Sequence, residues 1–336
     1  MRKKLGLLIC ICLMLLLSAC GISKESFQPK DPNNTTDVIV EVPSGSTTKS
    51  IGNLLESKGI IKTEDAFIAK VKELSASNDL KAGTYRFTQA MSVEEIVNII
   101  ANGQVYAERI KIVIPEGYEV RQIIDRLEKS GLINRAEFEN ELINGVFDYP
   151  FIASLDRSTR LEGYLFPATY QFPKNITEHD IINQMLKAFD KAFDHAYYEK
   201  AKSINMSVEE VITIASIIER EAMVAEERVV VSSVFHNRLD KPMRLQSCAT
   251  VQYILGERKE VLSIKDTKIN SPYNTYRISG LPPAPIASPG KAAIEAALNP
   301  AQTDFLFFVT TNNGDGSHYF SRTLEEHNAA IKKSKK

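Results

Sequence analysis

Residues 207–222 read SVEEVITIASIIEREA, and the rest of the chain is organised around this stretch. Ser207 and Glu210 have the spacing of a capping box, and no Gly or Pro interrupts the residues that follow, so we predict a helix here. At about 100° per residue, Glu219 projects roughly 50° from the centre of the apolar side of that helix. The residues of the apolar side are Val208, Val211, Ile212, Ala215, Ile218 and Ala222.

The position of Glu219 is unusual for a carboxyl group. On the core-facing side of a helix it must pair with a cation, lie in a cleft or retain its proton, because burial of an unpaired carboxylate is strongly disfavoured. A carboxyl that retains its proton near neutral pH is what general acid catalysis uses. A Glu at the edge of an apolar face is more often solvated or paired with Arg, and Glu226 would reach the same face if the helix continued. The pattern by itself therefore nominates both Glu219 and Glu226.

The N-terminus has the pattern of an export signal. Three basic residues precede the apolar residues 5–17, a run too short to span a membrane but of the length of a signal-peptide core. The sequence LSACG at 17–21 is typical of a lipobox, in which Cys20 is acylated and the chain is cut before it. We predict a signal peptide over residues 1–19 and a lipid anchor on Cys20. The alternative is an uncleaved short anchor. Either places the protein at the cell membrane, facing the extracytoplasmic side.

Cysteine usage and charge agree with export. Cys10 and Cys12 lie in the predicted signal peptide, so Cys248 is the one free thiol expected in the mature chain and no intramolecular disulfide can form. The formal net charge of −1 becomes −4 once the three basic residues of the signal peptide are removed. A mildly acidic chain offers no case for a nucleic-acid partner. The hydrophobic fraction of 43% is enough for two or three cores.

A repeat follows a polar segment. Residues 20–37 contain Pro29 and Pro32, and we interpret them as a tether. VIVEVPSG at 38–45 then matches IKIVIPEG at 110–117. Each copy reads as a strand, a Pro-x-Gly turn, a helix closed by Gly and a short apolar exit. A strand at 82–87 and a helix opened by Ser92 lie between them. We interpret residues 38–147 as small α+β modules that resemble LysM-like glycan-binding modules; a structural spacer is an equally good alternative.

We predict a second domain of mixed helix and strand over the remaining residues, 148–336, which contain Glu219, the candidate for catalysis. Aromatic residues surround Glu162, helices are expected over about 178–202 and 207–239, and strands at 305–310 and 318–321 form a hairpin. The loops at 243–253, 272–276 and 280–290 combine turn residues with polar side chains that can bind a polar ligand.

Five motifs occur in the order found in the endolytic murein transglycosylase family, which is also called YceG-like. They are ASIIERE at 215–221, VFHNRL at 234–239, MRLQS at 243–247, YNTY at 273–276 and GLPP at 280–283. The first Glu of the helix motif is the catalytic acid of that family, so the resemblance implies that role for Glu219 rather than Glu226. The candidate substrate-binding residues are Glu162, Arg244, Gln246, Asn274 and Tyr276.

The chain departs from the family pattern at several positions. Cys248 and Ala249 stand where Asp-Pro is common, and Ala284 and Ser288 stand where Gly and Asn are common. We expect the missing acid to affect substrate positioning. Family members often carry a transmembrane anchor, so the lipobox is a further departure.

The resemblance implies an endolytic reaction on nascent peptidoglycan strands. One carboxyl protonates the oxygen between N-acetylmuramic acid and N-acetylglucosamine, and then takes a proton from the muramic C6 hydroxyl as a 1,6-anhydro ring closes. The sugar's own hydroxyl replaces water, so neither a second carboxylate nor a metal or cofactor is required. The expected partners are the peptidoglycan glycan strands and the membrane, with a peptidoglycan synthase as a candidate.

Three other functions can be compared with the sequence. S-x-x-K occurs at 46–49 and 288–291, but the motifs that accompany it in penicillin-recognising enzymes are in the wrong order. The five histidines lack the spacing of a metal site, which argues against a metal hydrolase. A non-catalytic, glycan-binding lipoprotein with a degenerate active site is the alternative that Cys248 favours.

Overall fold

A computed structural model describes residues 23–153, 155, 161–259 and 261–335. The predicted signal peptide and Cys20 lie outside the described residues. The chain forms two compact units, of which the first ends at Glu108 and the second begins at Arg109.

The first unit is a two-stranded antiparallel sheet covered by helices. Its strands pair Val38 with Phe87 and Val42 with Gly83. Apolar residues from both strands and all three helices form its core. The elements are β1 (Val38–Val42), α1 (Thr48–Ser57), α2 (Glu64–Glu73), β2 (Gly83–Phe87) and α3 (Val93–Ala101). The capping box predicted at Ser92 is present, with Glu95 as its partner.

The segment that we predicted as a tether is ordered where it is described. Residues Lys24–Phe27 form a short 3-10 helix, and Phe27 packs against the core of the first unit. The Asn34 side chain donates a hydrogen bond of 3.1 Å to Gln89 Oε1. The structure therefore differs from the tether prediction, because an apolar side chain and paired amides hold residues 24–37 to the unit.

The second unit contains nine helices and four strands among its described residues. They are β3 (Arg109–Val113), α4 (Val120–Lys129), α5 (Arg135–Asn144), β4 (Thr169–Pro173), α6 (Glu178–Ala192), α7 (His195–Ser203), α8 (Val208–Glu221), α9 (Arg228–Asp240), α10 (Cys248–Leu255), α11 (Lys291–Leu298), β5 (Phe307–Thr310), β6 (His318–Ser321) and α12 (Leu324–Ser334). β3 pairs antiparallel with β4, and the predicted hairpin forms from β5 and β6.

The α+β class is confirmed, but the unit boundary differs from the predicted one. The sequence predicts a boundary at 147/148, whereas the structure divides the chain at 108/109. The second repeat copy belongs to the second unit, because β3 pairs with β4 and the apolar residues of α4 and α5 join that unit's core. The two repeat copies therefore lie in different units. Their LysM-like character stays a prediction.

α8 is the central helix of the second unit. It begins after the predicted capping box of Ser207 and Glu210. Residues 211–218 are all buried, so the helix is enclosed on every side and not on the one apolar side that we predicted. It packs against α7, α9, α10 and α11. The long helices predicted over 178–202 and 207–239 are each divided in two, at residues 193–194 and 222–227.

Candidate active site

Glu219 lies in the last turn of α8, where the buried helix reaches a cavity. It is partly exposed, in contrast to the eight buried residues before it. α8 ends at Glu221 because Ala222 adopts an extended backbone, with φ −93° and ψ 103°. Glu219 Oε2 accepts a hydrogen bond of 2.9 Å from the backbone N–H of Gly290, the N-cap residue of α11. The carboxyl is thus held at a helix end by one backbone donor.

The cavity beside Glu219 has a volume of about 450 Å³. This volume lies in the range of small-molecule sites, roughly 300–1,000 Å³. The turn between β3 and α4, the end of α8, the start of α9 and the residues after α10 enclose it. The lining residues are Glu116, Gly117, Tyr118, Glu119, Gln122, Glu219, Arg220, Ala222, Met223, Arg228, Gly256, Glu257 and Arg258.

The pKa of Glu219 is raised above the ordinary value for Glu. Burial is the largest cause, since it disfavours the charged form, and the negative charge of Glu116 adds to it. The Gly290 N–H and the positive charge of Arg228 act in the opposite direction. Glu219 therefore retains its proton to a higher pH than a solvated Glu, while its carboxylate form has a donor ready.

The turn at residues 115–118 is fixed to both sides of the cavity. Gly117 N donates to Ser288 O at 2.8 Å, and Ser288 N donates to Tyr118 O at 2.7 Å. Arg220 Nη1 donates to Gly117 O at 3.2 Å and to Glu119 Oε1 at 3.1 Å. This turn therefore presents Glu116 and Tyr118 to the same cavity as Glu219.

Sequence reasoning missed the contribution of this turn, because its Pro-x-Gly pattern predicts only a feature of the repeat. A signal was available in the comparison of the two copies. The first copy has Ser44 where the second has Glu116, although the Pro and Gly on either side are the same. A charged residue that replaces a small one in an otherwise matching turn indicates a role beyond the turn itself.

The family model of the YceG-like family matches residues 40–333. This chain belongs to the YceG-like family. An endolytic murein transglycosylase of Bacillus subtilis (strain 168) is 36% identical over 329 residues, which cover 92% of this chain and 88% of that protein. The protein of the same name from Streptococcus pneumoniae serotype 2 (strain D39) is 34% identical over 335 residues, which cover 91% of this chain and 60% of that protein.

A solved structure supports the same family at the level of the fold. The 2.6 Å crystal structure of the yceG-like protein lmo1499 from Listeria monocytogenes is 39% identical in sequence, with a TM-score of 0.59. The match covers 88% of this chain and 99% of the Listeria chain. The α+β architecture described above is therefore that of a YceG-like protein.

Glu162, a predicted substrate-binding residue of this YceG-like chain, is buried and bonded within the protein. Its two carboxyl oxygens accept hydrogen bonds from Val120 N at 3.0 and 3.3 Å, at the start of α4. Tyr253 donates to Oε2 at 3.3 Å. Burial raises the pKa of Glu162 to about 8, although the Val120 N–H lowers it. Glu162 is thus a cap for the helix that follows the cavity turn.

Asn274 also has its polar atoms occupied within the protein. It is fully buried, and its Nδ2 donates to Thr267 O at 3.1 Å and to Ile269 O at 2.7 Å. Its Oδ1 accepts from Tyr276 N at 3.0 Å. In the structure Asn274 organises the loop that carries Tyr276, and its amide does not reach the cavity beside Glu219.

The other three predicted binding residues lie together on neighbouring loops. Arg244 and Gln246 are exposed, and Arg244 Nη1 donates to Tyr276 O at 3.2 Å. Gln246 adopts a left-handed backbone with φ 50°, and its N donates to Thr275 O at 3.1 Å. None of the three lines the cavity beside Glu219. Their role in substrate binding stays a prediction.

Cys248 lines a second, smaller cavity of about 150 Å³. Arg220, Met223 and Arg258 line both cavities, so the two adjoin. Cys248 Sγ lies 3.1 Å from the Tyr276 hydroxyl. Burial raises the pKa of the Cys248 thiol, and the charge of Glu221 adds to this. The departure from the family pattern therefore lies beside the cavity of Glu219 and not within it.

Glu221 connects the end of α8 to the start of α10. Its Oε1 accepts from Ser247 Oγ at 2.5 Å and from Ala249 N at 3.2 Å. Glu226, the other residue nominated by the helix pattern, is exposed in the short 3-10 helix Ala225–Glu227 and does not line either cavity. The end of α8 at Glu221 thus separates Glu219 from Glu226.

The part of the chain that the structure describes contains no candidate metal site. No group of three or more His, Cys, Asp or Glu side chains is placed there to hold a metal ion. His179 and His318 each contact a single carboxylate, Glu141 at 2.6 Å and Glu227 at 2.7 Å.

Proposed function

We propose that this chain is an endolytic murein transglycosylase, which cleaves the bond between N-acetylmuramic acid and N-acetylglucosamine inside peptidoglycan strands and forms 1,6-anhydro-muramic ends. One observation carries the proposal: Glu219, at the family's catalytic position, lies in a cavity, with a raised pKa and one backbone donor. The names of the Bacillus and Streptococcus relatives support the same activity.

The geometry accounts for both proton transfers by one carboxyl group. Protonated Glu219 gives its proton to the glycosidic oxygen, the bond from that oxygen to muramic C1 breaks, and N-acetylglucosamine leaves with a hydroxyl. The muramic C6 oxygen then bonds to C1 and its proton passes to Glu219. Between the steps Glu219 is a carboxylate, which the Gly290 N–H stabilises. No water enters, so the reaction is an intramolecular transglycosylation rather than a hydrolysis, and no cofactor takes part.

The test is mass spectrometry of peptidoglycan strands incubated with the protein. We expect new 1,6-anhydro-muramic ends on fragments released from inside long strands. Reducing muramic ends, which contain the atoms of one added water, would indicate a hydrolase and contradict the proposal. Strands that bind the protein but remain uncut would instead support the non-catalytic, glycan-binding alternative.

The anchor and the first unit complete the proposal. Lipid on Cys20 holds the enzyme at the outer side of the cell membrane, close to the nascent strands whose length it limits and to a peptidoglycan synthase as partner. The support is the lipobox sequence alone. Residues 38–147 contribute LysM-like glycan binding, and the repeat of strand, turn and helix supports this role. The first copy of the repeat lies in the first unit. We expect a protein that lacks the first unit to lose binding to peptidoglycan strands but to cleave short fragments as the parent does.

A further inference from the structure

Glu116 is a carboxylate of the cavity that the reaction above does not use. It lies at the tip of the turn between β3 and α4, and its side chain is exposed to the cavity. Among the described residues, the Glu116 carboxyl forms neither a hydrogen bond nor an ion pair. Its charge is therefore available to a bound sugar.

Gly290 brings Glu116 and Glu219 together. A Cβ atom at position 290 would overlap the Glu116 carboxyl, while the N–H of the same residue donates to Glu219 Oε2 at 2.9 Å. The backbone of Gly290, with φ −76° and ψ 168°, is one that any residue adopts. Position 290 therefore needs a residue without a side chain because the carboxyl of Glu116 occupies that space. Its backbone conformation does not require glycine.

The backbone of the turn holds Glu116 in this place. Gly117 and Tyr118 exchange hydrogen bonds of 2.8 and 2.7 Å with Ser288, two residues before Gly290. Arg220, next to Glu219 on α8, donates to Gly117 O. A fixed backbone lowers the conformational freedom that the Glu116 side chain has to lose when it acts on a ligand, which favours electrostatic preorganisation.

We propose, on the basis of the function proposed above, that Glu116 is a second catalytic carboxylate, which faces the positive charge that develops on the anomeric carbon of muramic acid as the glycosidic bond breaks. Cleavage of a glycosidic bond passes through a state with oxocarbenium character, and a nearby carboxylate stabilises it. Glu116 forms no bond and moves no proton in this step. The proton of Glu219 goes to the leaving oxygen, and the C6 oxygen closes the ring on C1.

The same charge acts on Glu219. Glu116 raises the pKa of Glu219, second to burial among the causes that raise it. The other charged groups that line the cavity are Glu119 before α4, Arg220 on α8, Arg228 on α9, and Glu257 and Arg258 after α10. Arg220 and Arg121 both contact Glu119. Arg228 opposes the effect of Glu116 on Glu219.

The test compares Glu116→Gln with the parent and with Glu226→Gln, a control at the exposed position outside both cavities. We expect Glu116→Gln to lower kcat for anhydro-product formation by ~10²-fold, with little change in KM. We also expect the falling limb of its pH–rate profile to move to lower pH, because removal of a negative charge lowers the pKa of Glu219. Glu226→Gln should match the parent in both measurements.

Gly290→Ala provides a second variant in which Glu116 itself is intact. The added methyl displaces the Glu116 carboxyl, while the N–H of residue 290 still donates to Glu219, so kcat should fall and the pH limb should shift in the same direction. If folded Glu116→Gln keeps both the kcat and the falling pH limb of the parent, or changes only in KM, Glu116 is not a second catalytic carboxylate. The proposed function would still stand, because the parent protein is active. A parent protein that forms no anhydro ends would overturn both the proposed function and the role of Glu116.

Discussion

In the proposed reaction Glu219 acts as an acid in one step and as a base in the next, and its neighbours favour one or the other of these two forms. Burial and Glu116 favour the protonated form, which the cleavage of the glycosidic bond needs. The Gly290 N–H and Arg228 favour the carboxylate, which ring closure needs. A group that serves both steps works best with a pKa near the working pH, so the raised pKa of a partly exposed carboxyl suits Glu219.

Glu219→Gln tests the proposed catalytic acid at the scale of one residue. The amide keeps the shape of the side chain and can still accept from Gly290 N–H, but it cannot give or take a proton. We expect the rate of anhydro-product formation to fall by about 10²- to 10⁴-fold, measured by mass spectrometry of the digested strands. The thermal unfolding midpoint should stay near that of the parent.

Glu226→Gln is the matched control for this variant, because the helix pattern nominates both residues and only Glu219 lies in the cavity. Glu221→Gln is unsuitable as a control, since Glu221 holds the start of α10 through Ser247 and Ala249. Full activity in folded Glu219→Gln would mean that another group supplies the proton.

Parent activity should also depend on pH in a direction that the site defines. The raised pKa of Glu219 keeps the acid form present up to a higher pH than for a solvated Glu, and the rate should fall as pH rises through that pKa. A rate that keeps rising as pH increases, without a falling limb, would show that the reaction does not need protonated Glu219. That result would contradict its role as the acid.

Cys248→Asp restores the residue type that the family pattern has at this position. Cys248 is the first residue of α10, where an acid interacts favourably with the helix N-terminus, and it lies in the adjoining cavity rather than beside Glu219. We therefore expect faster anhydro-product formation, or a lower KM, with the falling limb of the pH–rate profile unchanged. A shift of that limb to higher pH would instead reveal electrostatic coupling to Glu219. Equal profiles for both forms would remove Cys248 from the account of function.

At the scale of elements, the site depends on how loops pack against α8. Gly163 has φ 88°, and a Cβ atom there would lie 2.6 Å from Pro285 Cβ and 3.1 Å from Ile212 Cγ2 of α8. The proline ring cannot rotate away from this contact. The segment that carries Glu162, the loop at 280–290 and the central helix thus meet at one glycine.

Gly163→Ala should destabilise the second unit, and Gly131→Ala serves as its control. Gly131 has φ 73° in the same unit, but a Cβ atom there would meet nothing within 4 Å. The backbone strain of ~1–2 kcal/mol is common to both variants, whereas overpacking adds ~1–3 kcal/mol only at position 163. Thermal unfolding should show the larger loss for Gly163→Ala. Equal losses would mean that the Pro285 contact relaxes without cost.

At the scale of the whole molecule, we propose that the N-terminal segment attaches the protein to the membrane. Among the described residues, no helix has both the length and the apolar character needed to span a bilayer. We expect Cys20→Ser to release the protein from membrane fractions or to leave its precursor uncleaved, because stable attachment normally needs more than one acyl chain. Immunodetection in membrane and soluble fractions, with Cys248→Ser as the control for loss of a thiol, measures this. Normal processing and retention of Cys20→Ser would contradict the lipobox.

The sequence by itself determined the features that depend on residues close together in the chain. The capping boxes of Ser207 and Ser92, the turn-and-helix pattern of both repeat copies and the hairpin of β5 and β6 all follow from local hydrogen bonds and side-chain periodicity. The helix period nominates the carboxyls of Glu219 and Glu226 in the same way, since their angles to the apolar side can be read from it.

Only the tertiary structure decided what surrounds Glu219. Gly290 and Glu116 are far from it in the chain, and no period or spacing in one sequence records which distant backbone N–H or carboxyl will meet a helix end. The same limit applies to Glu162 and Asn274. The sequence predicts that both bind substrate, whereas the structure shows their hydrogen bonds to atoms of the protein. A buried polar group must find partners, and whether these are protein atoms or a substrate is settled by the packing around it.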